Sequence, residues 1–425
     1  MSRPTASILL TGNELLRGVI ADQNGPHLAA ALERLGFSLR RTLVVGDELA
    51  DIRAGLRLML DSADLVVTSG GLGPTHDDRT VEALAQVAGV ELVLDEEVLA
   101  RIDRWTDGVA VRYGLDRSGF EAGNRKQAQI PAGAEVLGIA GTAPGLVMAV
   151  GDSHVVVLPG VPSELRRLWT MAPDHPSLGP LFGRAEPRRR WLLRTYGVGE
   201  SHVADMFAAA GGDPPGVETS ICARNFEIEI DIRAEPAGEA GGAALRERMT
   251  AALGEHVFGT DERELPEIVL DLLRERGWTA AAAESCTGGM VAARLTDVPG
   301  SSDGFAGGVV TYSNELKQAL LGVPADVLAR HGAVSSETAA AMAAGARERL
   351  GADVAVAVTG IAGPGGGTPE KPVGLVYLHV SSAAGEDHRQ MDVPGDRAIV
   401  RARAAVAALH LLRVHLVSAL AHPRT

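Results

Sequence analysis

The sequence predicts an α/β protein in three consecutive parts: a doubly wound domain over residues 1–172, a small α+β module over 173–258, and a second α/β domain with a mixed sheet over 259–425. Three observations carry this. In the first and last parts, short apolar runs alternate with helix-length amphipathic segments, the pattern of strands buried beneath helices. Four prolines and two glycines between residues 173 and 187 interrupt that alternation. The last apolar runs of the chain follow one another with no helix between them, so they pair antiparallel.

In order, residues 6–10 read as a short strand, 26–35 as a helix ended by Gly36, 37–45 as a strand and 49–60 as a helix. Residues 64–68 form a continuous apolar strand that runs into Ser69-Gly70-Gly71-Leu72-Gly73-Pro74, and a helix follows over about 79–88. Residues 155–158 are another buried strand, before Pro159-Gly160-Val161-Pro162 and a helix from Ser163. In the middle part, 190–196 reads as a strand, 200–210 as a helix, 218–233 as two short strands around Asn225, and 243–253 as a helix. No chemistry-bearing pattern falls there, and a structural or dimer-forming spacer is expected. In the third part, 268–276 is a helix ended by Gly277. Strands are expected at 278–283, 308–311, 354–358, 373–380 and about 388–393, and helices at 286–295, 337–350 and 396–417.

Composition excludes some classes. Forty basic against 54 acidic residues give a formal charge of −14, and the basic cluster that stands out is only Arg188-Arg189-Arg190. That is no electrostatic footprint for nucleic acid. The two cysteines, Cys222 and Cys286, form neither a disulfide framework nor a CxxC metal site. The apolar start at Ile8 is too short for a signal peptide, and no apolar run reaches the ~18 residues of a membrane span. A cytoplasmic protein without membrane or nucleic-acid partners is expected.

The apolar run 278–283 stops at Glu284, and a helical pattern begins at about Cys286. Ser285 is therefore expected on a tight strand-to-helix turn, beside unpaired N–H groups and the positive end of a helix dipole. A hydroxyl there can be made nucleophilic, and the N–H groups of Cys286, Thr287 and Gly288 can receive an oxyanion. A serine there is equally an ordinary helix cap. For a base, His331 has no acidic neighbour in sequence, whereas Tyr312 and Lys317 follow a buried strand toward the same sheet edge. A desolvated lysine loses basic strength and can accept a proton near neutral pH. Ser285 with Lys317 and a Tyr312 relay is one reading; a solvated lysine and a strand aromatic is the other. Cys286 is a rival nucleophile or a small core residue. Thr359, Gly360, Gly363, Gly365 and Gly366 lie in a glycine-rich loop after the strand 354–358. Such a loop brings backbone N–H groups to an anion or is simply a turn. Lys371, Arg397 and Arg401 are available to add positive charge.

In the N-terminal part, Gly70, Gly71, Gly73 and Thr75, between a buried strand and a helix, suit a phosphate. Asp77 and Asp78 at the helix start can ligate a hard divalent cation that bridges phosphate oxygens, or cap the helix. Glu14, after the first strand, lies at the sheet edge where open α/β sheets bind ligands. Asp22, Asn24 and Asp47 belong to the same acidic neighbourhood, and His76 is an exposed loop residue or a further ligand.

On these residues the whole chain resembles the CinA family, named for competence and damage induction. Gly12-Asn13-Glu14-Leu15-Leu16-Arg17-Gly18, residues 70–80, Gly141-Thr142-Ala143-Pro144-Gly145 and Leu158-Pro159-Gly160-Val161-Pro162 resemble its molybdopterin-binding-like domain. Residues 284–289, Tyr312-Ser313-Asn314 with Lys317, Gly332-Ala333-Val334-Ser335 and residues 359–364 resemble its nicotinamide-nucleotide amidase domain. The resemblance implies hydrolysis of the carboxamide of nicotinamide mononucleotide to nicotinate mononucleotide and ammonia, in pyridine-nucleotide recycling. It implies Ser285 as nucleophile, Lys317 and Tyr312 as proton-transfer partners, and no cofactor for this domain. For the N-terminal domain it implies a metal-dependent ADP-ribose pyrophosphatase, the alternative being a domain that binds a molybdopterin or nucleotide without turnover. It implies a KH-like middle module and a homodimer. One departure is visible: Gly138 stands where the family usually has an Asn, which removes a possible phosphate or metal-water ligand.

Overall fold

A computed structural model describes residues 3–421, and they fold as two compact units, the first ending at Arg188 and the second starting at Arg189. In the first unit the strands are β1 (Thr5–Thr11), β2 (Ser38–Val45), β3 (Leu65–Ser69), β4 (Leu92–Leu94), β5 (Gln129–Pro131), β6 (Glu135–Ala140), β7 (Ala143–Val150) and β8 (Ser153–Leu158). Its helices are α1 (Asn13–Leu16), α2 (Asn24–Leu35), α3 (Leu49–Leu60), α4 (Thr80–Ala88), α5 (Glu96–Tyr113), α6 (Glu121–Gln127), α7 (Pro162–Trp169) and α8 (Gly179–Phe182).

The main sheet runs β2-β1-β3-β8-β7-β6, with β4 and β5 as a separate pair. Alternate residues of β1 feed two cores, as the period of two requires. Ile8 and Leu10 join Leu28, Leu32 and Phe37 on one face, and Leu9 joins Ile52, Leu56 and Met59 on the other. The sheet is not wholly parallel. β2, β1, β3 and β8 are parallel, whereas β7 and β6 add antiparallel. Sequence patterning missed those two strands because Gly138, Pro144 and Gly145 dilute their strand character. Leu178 and Leu181, beyond the expected boundary at 172, pack in the core of this unit.

The second unit begins with β9 (Arg189–Thr195), α9 (Glu200–Ala209), β10 (Val217–Arg224), β11 (Glu227–Ala234), α10 (Glu239–Leu253) and β12 (Val257–Gly259). These strands form an antiparallel sheet, β10-β11-β9-β12. It continues with α11 (Leu265–Arg276), β13 (Ala280–Glu284), α12 (Met290–Thr296), β14 (Phe305–Val310), α13 (Asn314–Leu321), α14 (Ala325–His331) and α15 (Ser336–Arg349). It ends with β15 (Val354–Gly360), β16 (Leu375–Ser382), β17 (Gly385–Asp392) and α16 (Arg397–Ala421).

The second sheet of this unit runs β14-β13-β15-β16-β17, parallel across its first three strands and antiparallel across its last three. This is the expected mixed sheet. Strand β13, second in the order, is all alanine before Glu284: Ala280 and Ala282 face the core shared with α11 and α16, while Ala281 and Ala283 face Met342, Ala343 and Ala346. Small side chains let helices approach both faces closely.

The helix α16 is long and apolar enough to cross a membrane by length and composition, a property the count of uninterrupted apolar residues did not register. In this fold it is a core helix, with Val400, Ala404, Leu409, Leu412 and Leu416 buried. It also seats the small antiparallel sheet: His410 Nε2 lies 2.9 Å from Glu227 Oε1, and the Tyr196 ring stacks on His410 at 3.6 Å. Burial pushes the Glu227 carboxyl up to about 7 and lowers the His410 imidazole. The middle module thus has a buried polar lock on the C-terminal helix, which a spacer reading did not foresee.

Candidate active site

Strand register builds the C-terminal site. Glu284 on β13 pairs with Val310 on β14 and Val358 on β15, so the three parallel strands end at one level. Thr311 N–H donates to Glu284 O at 2.8 Å, and Ser285 N–H donates to Val358 O at 2.9 Å. Ser285, Thr311 and Thr359 therefore emerge together at the carboxyl edge of the sheet, the usual ligand edge of α/β folds. Helix α13, capped by Ser313, carries Lys317 back over that edge. Lys317 Nζ lies 3.0 Å from Ser285 Oγ and 2.7 Å from Thr311 O.

Lys317 is 1% exposed and Ser285 9%. No carboxylate forms an ion pair with Lys317 among the described residues, and burial lowers its ammonium pKa, opposed by the nearby Cys286 thiol. Lys317 Nζ donates to the Thr311 carbonyl and to Ser285 Oγ; once deprotonated it can keep the first bond and accept from the serine hydroxyl in the second. The solvated-lysine alternative is excluded. Tyr312 is different. Its side chain is exposed, and its hydroxyl takes a hydrogen bond from Arg397 at 2.8 Å, so Lys317 meets Ser285 without an intervening hydroxyl.

The serine is not the helix cap. The helix starts at Met290, four residues later than expected, after turns in which Gly288 and Gly289 have φ of 61° and 99°. Gly289 holds the N-cap position, and the N–H groups of Gly289, Val291 and Ala292 are taken by the carboxylate of Glu284, 1% exposed, at 2.9, 3.1 and 2.9 Å. An acidic group at a helix start also meets the positive dipole end. With that task taken, the Ser285 hydroxyl is free for Lys317.

Cys286 is 5% exposed, and burial pushes its thiol up to about 11. It is a protonated core residue at neutral pH, not the better nucleophile. Arg401 donates to Cys286 O at 3.0 Å and Thr287 O at 2.9 Å. Gly288 N–H is taken by Ser285 O at 3.2 Å. The N–H groups of Cys286 and Thr287 donate to no backbone carbonyl among the described residues. They lie against the Cys286 sulfur, where they oppose the burial that raises its pKa, and they are the donors beside the nucleophile not held by an oxygen.

Thr359 is buried with its hydroxyl on Ala333 O at 2.7 Å, and Gly360 packs where a Cβ would stand 2.8 Å from Leu375 O. Gly363 O accepts from Arg397 at 2.8 Å, while Gly365 and Gly366 are exposed at the loop tip. Lys371 does not reach this loop as a free charge, because its ammonium holds His331 O and Val334 O at 2.6 and 2.7 Å. His331 pairs with Glu337 at 3.3 Å. Glu284 and the clamping role of Arg401 escaped sequence reading. A Glu ending a strand three residues before Thr-Gly-Gly hinted at the first; the second depends on tertiary approach.

The N-terminal unit holds a cleft of about 800 Å³ at the carboxyl ends of β1, β3 and β8. Glu14, Asp22, Asn24, Asp47, Gly70, Gly71, Gly73, Thr75, Asp77 and Asp78 all line it, as expected. The glycines are forced: a Cβ on Gly70, at φ 104°, would stand 2.4 Å from Thr11 O, and one on Gly71, at φ 67°, 2.3 Å from Thr80 Oγ1. Asp77 and Asp78 do not cap α4. Both carboxylates turn onto the Thr75 hydroxyl, and α4 starts at Thr80, whose hydroxyl donates to Gly70 O at 2.8 Å. His76 lines an adjacent recess. Burial, with repulsion from Glu14, Asp77 and Asp78, raises the Asp47 pKa, opposed by the Asn13 N–H it accepts.

Asn24 Nδ2 bridges Ser69 Oγ and Gly160 O at 3.0 and 2.7 Å. One cleft residue was missed: Glu164, whose pKa burial raises, also lines the cleft. Gly138, by contrast, lines a separate recess, and a Cβ there would stand 2.9 Å from Met171 Sδ. Its departure from the family pattern removes no ligand from the cleft.

Among the described residues, no three His, Cys, Asp or Glu side chains gather closely enough to hold an ion alone. A small hard cation is usually held by one or two carboxylates with waters and substrate phosphates. The carboxylate-lined cleft suits that mode, not an all-protein cage.

Residues 7–172 match the family model described as a probable molybdopterin binding domain, and 262–416 that of the CinA C-terminal domain. A CinA-like protein of Mycolicibacterium paratuberculosis is 46% identical over 97% of this chain and 99% of its own. One of Mycolicibacterium vanbaalenii is 47% identical over 96% and 97%. A crystal structure of the competence/damage inducible protein CihA from Agrobacterium tumefaciens is 41% identical over 37% of this chain and 99% of its own, with a TM-score of 0.35. With full-length relatives at this identity, the chain belongs to the CinA family.

Proposed function

We propose that the C-terminal site hydrolyses the carboxamide of nicotinamide mononucleotide through an acyl-enzyme on Ser285. The observation that carries the reading is the 3.0 Å contact between Ser285 Oγ and a buried Lys317 amine without a carboxylate partner. The substrate comes from the family resemblance of the motifs around Ser285, Lys317 and Thr359. Neutral Lys317 takes the hydroxyl proton as Ser285 Oγ bonds to the amide carbon. The oxyanion is received by the N–H groups of Cys286 and Thr287. The lysine proton passes to the leaving nitrogen, ammonia departs, and water then cleaves the ester with Lys317 again as base. Arg397, bonded to Tyr312 and to the glycine-rich loop at the rim, is the positive group suited to the nucleotide phosphate. Tyr312 then helps to position Arg397 instead of relaying the proton.

Ammonia release from nicotinamide mononucleotide tests this. Wild type should turn over, and Ser285→Ala should fall by roughly 10⁶-fold, as when a serine nucleophile is removed elsewhere. Full activity in Ser285→Ala with loss in Cys286→Ala would overturn it.

For the N-terminal cleft we propose cleavage of ADP-ribose. The observation favouring it is that a phosphate-sized glycine loop and the carboxylates of Glu14, Asp77 and Asp78 share one cleft. Those three residues would hold a divalent cation, which supplies neutralisation of phosphate charge. Incubating the chain with ADP-ribose and a divalent cation should yield AMP and ribose 5-phosphate; binding without these products would leave the domain a nucleotide- or molybdopterin-binding module.

A further inference from the structure

We infer that Arg401 is a positioning residue that aims two N–H groups beside Ser285, those of Cys286 and Thr287, at the developing oxyanion; this rests on the amidase reading of that site. The loop between β13 and α12 is gripped on opposite sides. Glu284 holds the N–H groups at its helical end, and Arg401 holds the carbonyls of Cys286 and Thr287.

A trans peptide unit is planar, with its C=O and N–H pointing opposite ways. Pulling the Cys286 carbonyl toward the guanidinium therefore turns the Thr287 N–H away from it. Pulling the Thr287 carbonyl likewise fixes the Gly288 N–H, which donates to Ser285 O at 3.2 Å. That bond orients the next peptide plane, whose N–H belongs to Cys286. One guanidinium thus sets three consecutive planes, and the two N–H groups left without a carbonyl acceptor, with only the weakly accepting Cys286 sulfur near them, are those of Cys286 and Thr287.

Two features fit the guanidinium to this task. Its planar fork presents two donors at fixed separation, which an ammonium does not. Gly288, at φ 61°, leaves room beside it: a Cβ there would stand 3.2 Å from the nearer terminal nitrogen of Arg401. The side chain comes from the first turns of α16, more than a hundred residues later in the chain, so the oxyanion donors depend on docking of the C-terminal helix.

The test uses the full chain with Arg401→Ala and Arg401→Lys. Misaligned oxyanion donors each cost roughly 10²–10³ in kcat, so Arg401→Ala should lose at least about 100-fold in kcat on nicotinamide mononucleotide, with KM changed less than about threefold. Arg401→Lys should lose less, and millimolar guanidinium should partly restore Arg401→Ala. A second readout needs no nucleotide turnover: the rate at which phenylmethanesulfonyl fluoride modifies Ser285, followed by peptide mass, should drop about tenfold or more in Arg401→Ala. Wild-type kcat and sulfonylation in a folded Arg401→Ala would overturn the inference. So would a loss confined to KM, or a loss matched by a lowered thermal midpoint without rescue. If wild type fails to release ammonia while its Ser285 sulfonylation still depends on Arg401, the substrate reading fails and the positioning role stands.

Discussion

Replacing Lys317 by methionine, similar in length and without a proton, should change the pH dependence of stability in a defined direction. Burial lowers the Lys317 pKa from its ordinary 10.5, and the buried amine touches Ser285 and a backbone carbonyl. Between its folded value and 10.5, the folded chain carries a neutral amine and the unfolded chain an ammonium. Unfolding then takes up a proton, so wild-type stability rises with pH through that window and is weakest below it. The limiting slope is about 1.4 kcal/mol per pH unit. The variant has nothing to titrate, so its stability relative to wild type should decline at up to that slope as pH rises. Removing the amine also orphans the Thr311 carbonyl, a pH-independent cost of about 1–3 kcal/mol. For a unit of this size, 1 kcal/mol moves the thermal midpoint by about 2–4 °C, so the difference in midpoints should change by up to about 3–6 °C per pH unit. Calorimetry from pH 6 up to 10.5, the upper end of the window, reads this directly. Parallel curves for the two proteins would mean that Lys317 titrates as a solvated lysine, and the general-base argument would fail.

Other outcomes follow from the same geometry. Amidase activity should rise with pH to a plateau as Lys317 loses its proton below the ordinary 10.5, and an inflection at or above 10.5 would contradict this. Because burial holds the Cys286 thiol at about 11, Cys286→Ala should retain turnover within about threefold. Iodoacetamide should label exposed Cys222 and spare Cys286 in the folded protein; rapid labelling of Cys286 would contradict the assignment. Glu284→Gln keeps one acceptor for three N–H donors and loses its charge. It should cost about 2–4 kcal/mol in urea unfolding, and an unchanged midpoint would show that Glu284 does not hold the helix start. Gly138→Asn should destabilise the N-terminal unit by about 1–3 kcal/mol by crowding Met171, with no gain in ADP-ribose affinity by calorimetry; tighter binding would place residue 138 in the cleft after all.

Much of this was legible in the chain because period and punctuation are local. The alternation of buried runs with glycine-ended helices gave the α/β parts, and the helix-free succession of the last strands gave the mixed sheet. Ser285 and Thr359 were legible because each follows a buried strand, and parallel strands deliver their ends to one edge; the strand before Lys317, expected to be buried, is the half-exposed edge strand β14, but it runs parallel and ends at the same level. What stayed hidden depends on distance in sequence or on competing chemistry. Strands β6 and β7 carry glycines and a proline that read as loop. Ser285 stayed open between nucleophile and cap because serine is a usual capping residue, while the buried Glu284 reaches farther and takes three N–H groups. The grip of Arg401 on the loop and of His410 on Glu227 joins residues more than a hundred apart, which no window of sequence contains.

The account stands on Ser285 as the atom that attacks. The most direct measurement is acid quench of the chain during turnover of nicotinamide mononucleotide, followed by mass analysis of the peptide holding Ser285 and Cys286. A nicotinate-mononucleotide ester on Ser285, absent from Ser285→Ala and formed far more slowly in Lys317→Met, is the predicted result. An adduct on Cys286, or undiminished ammonia release from Ser285→Ala, would contradict it.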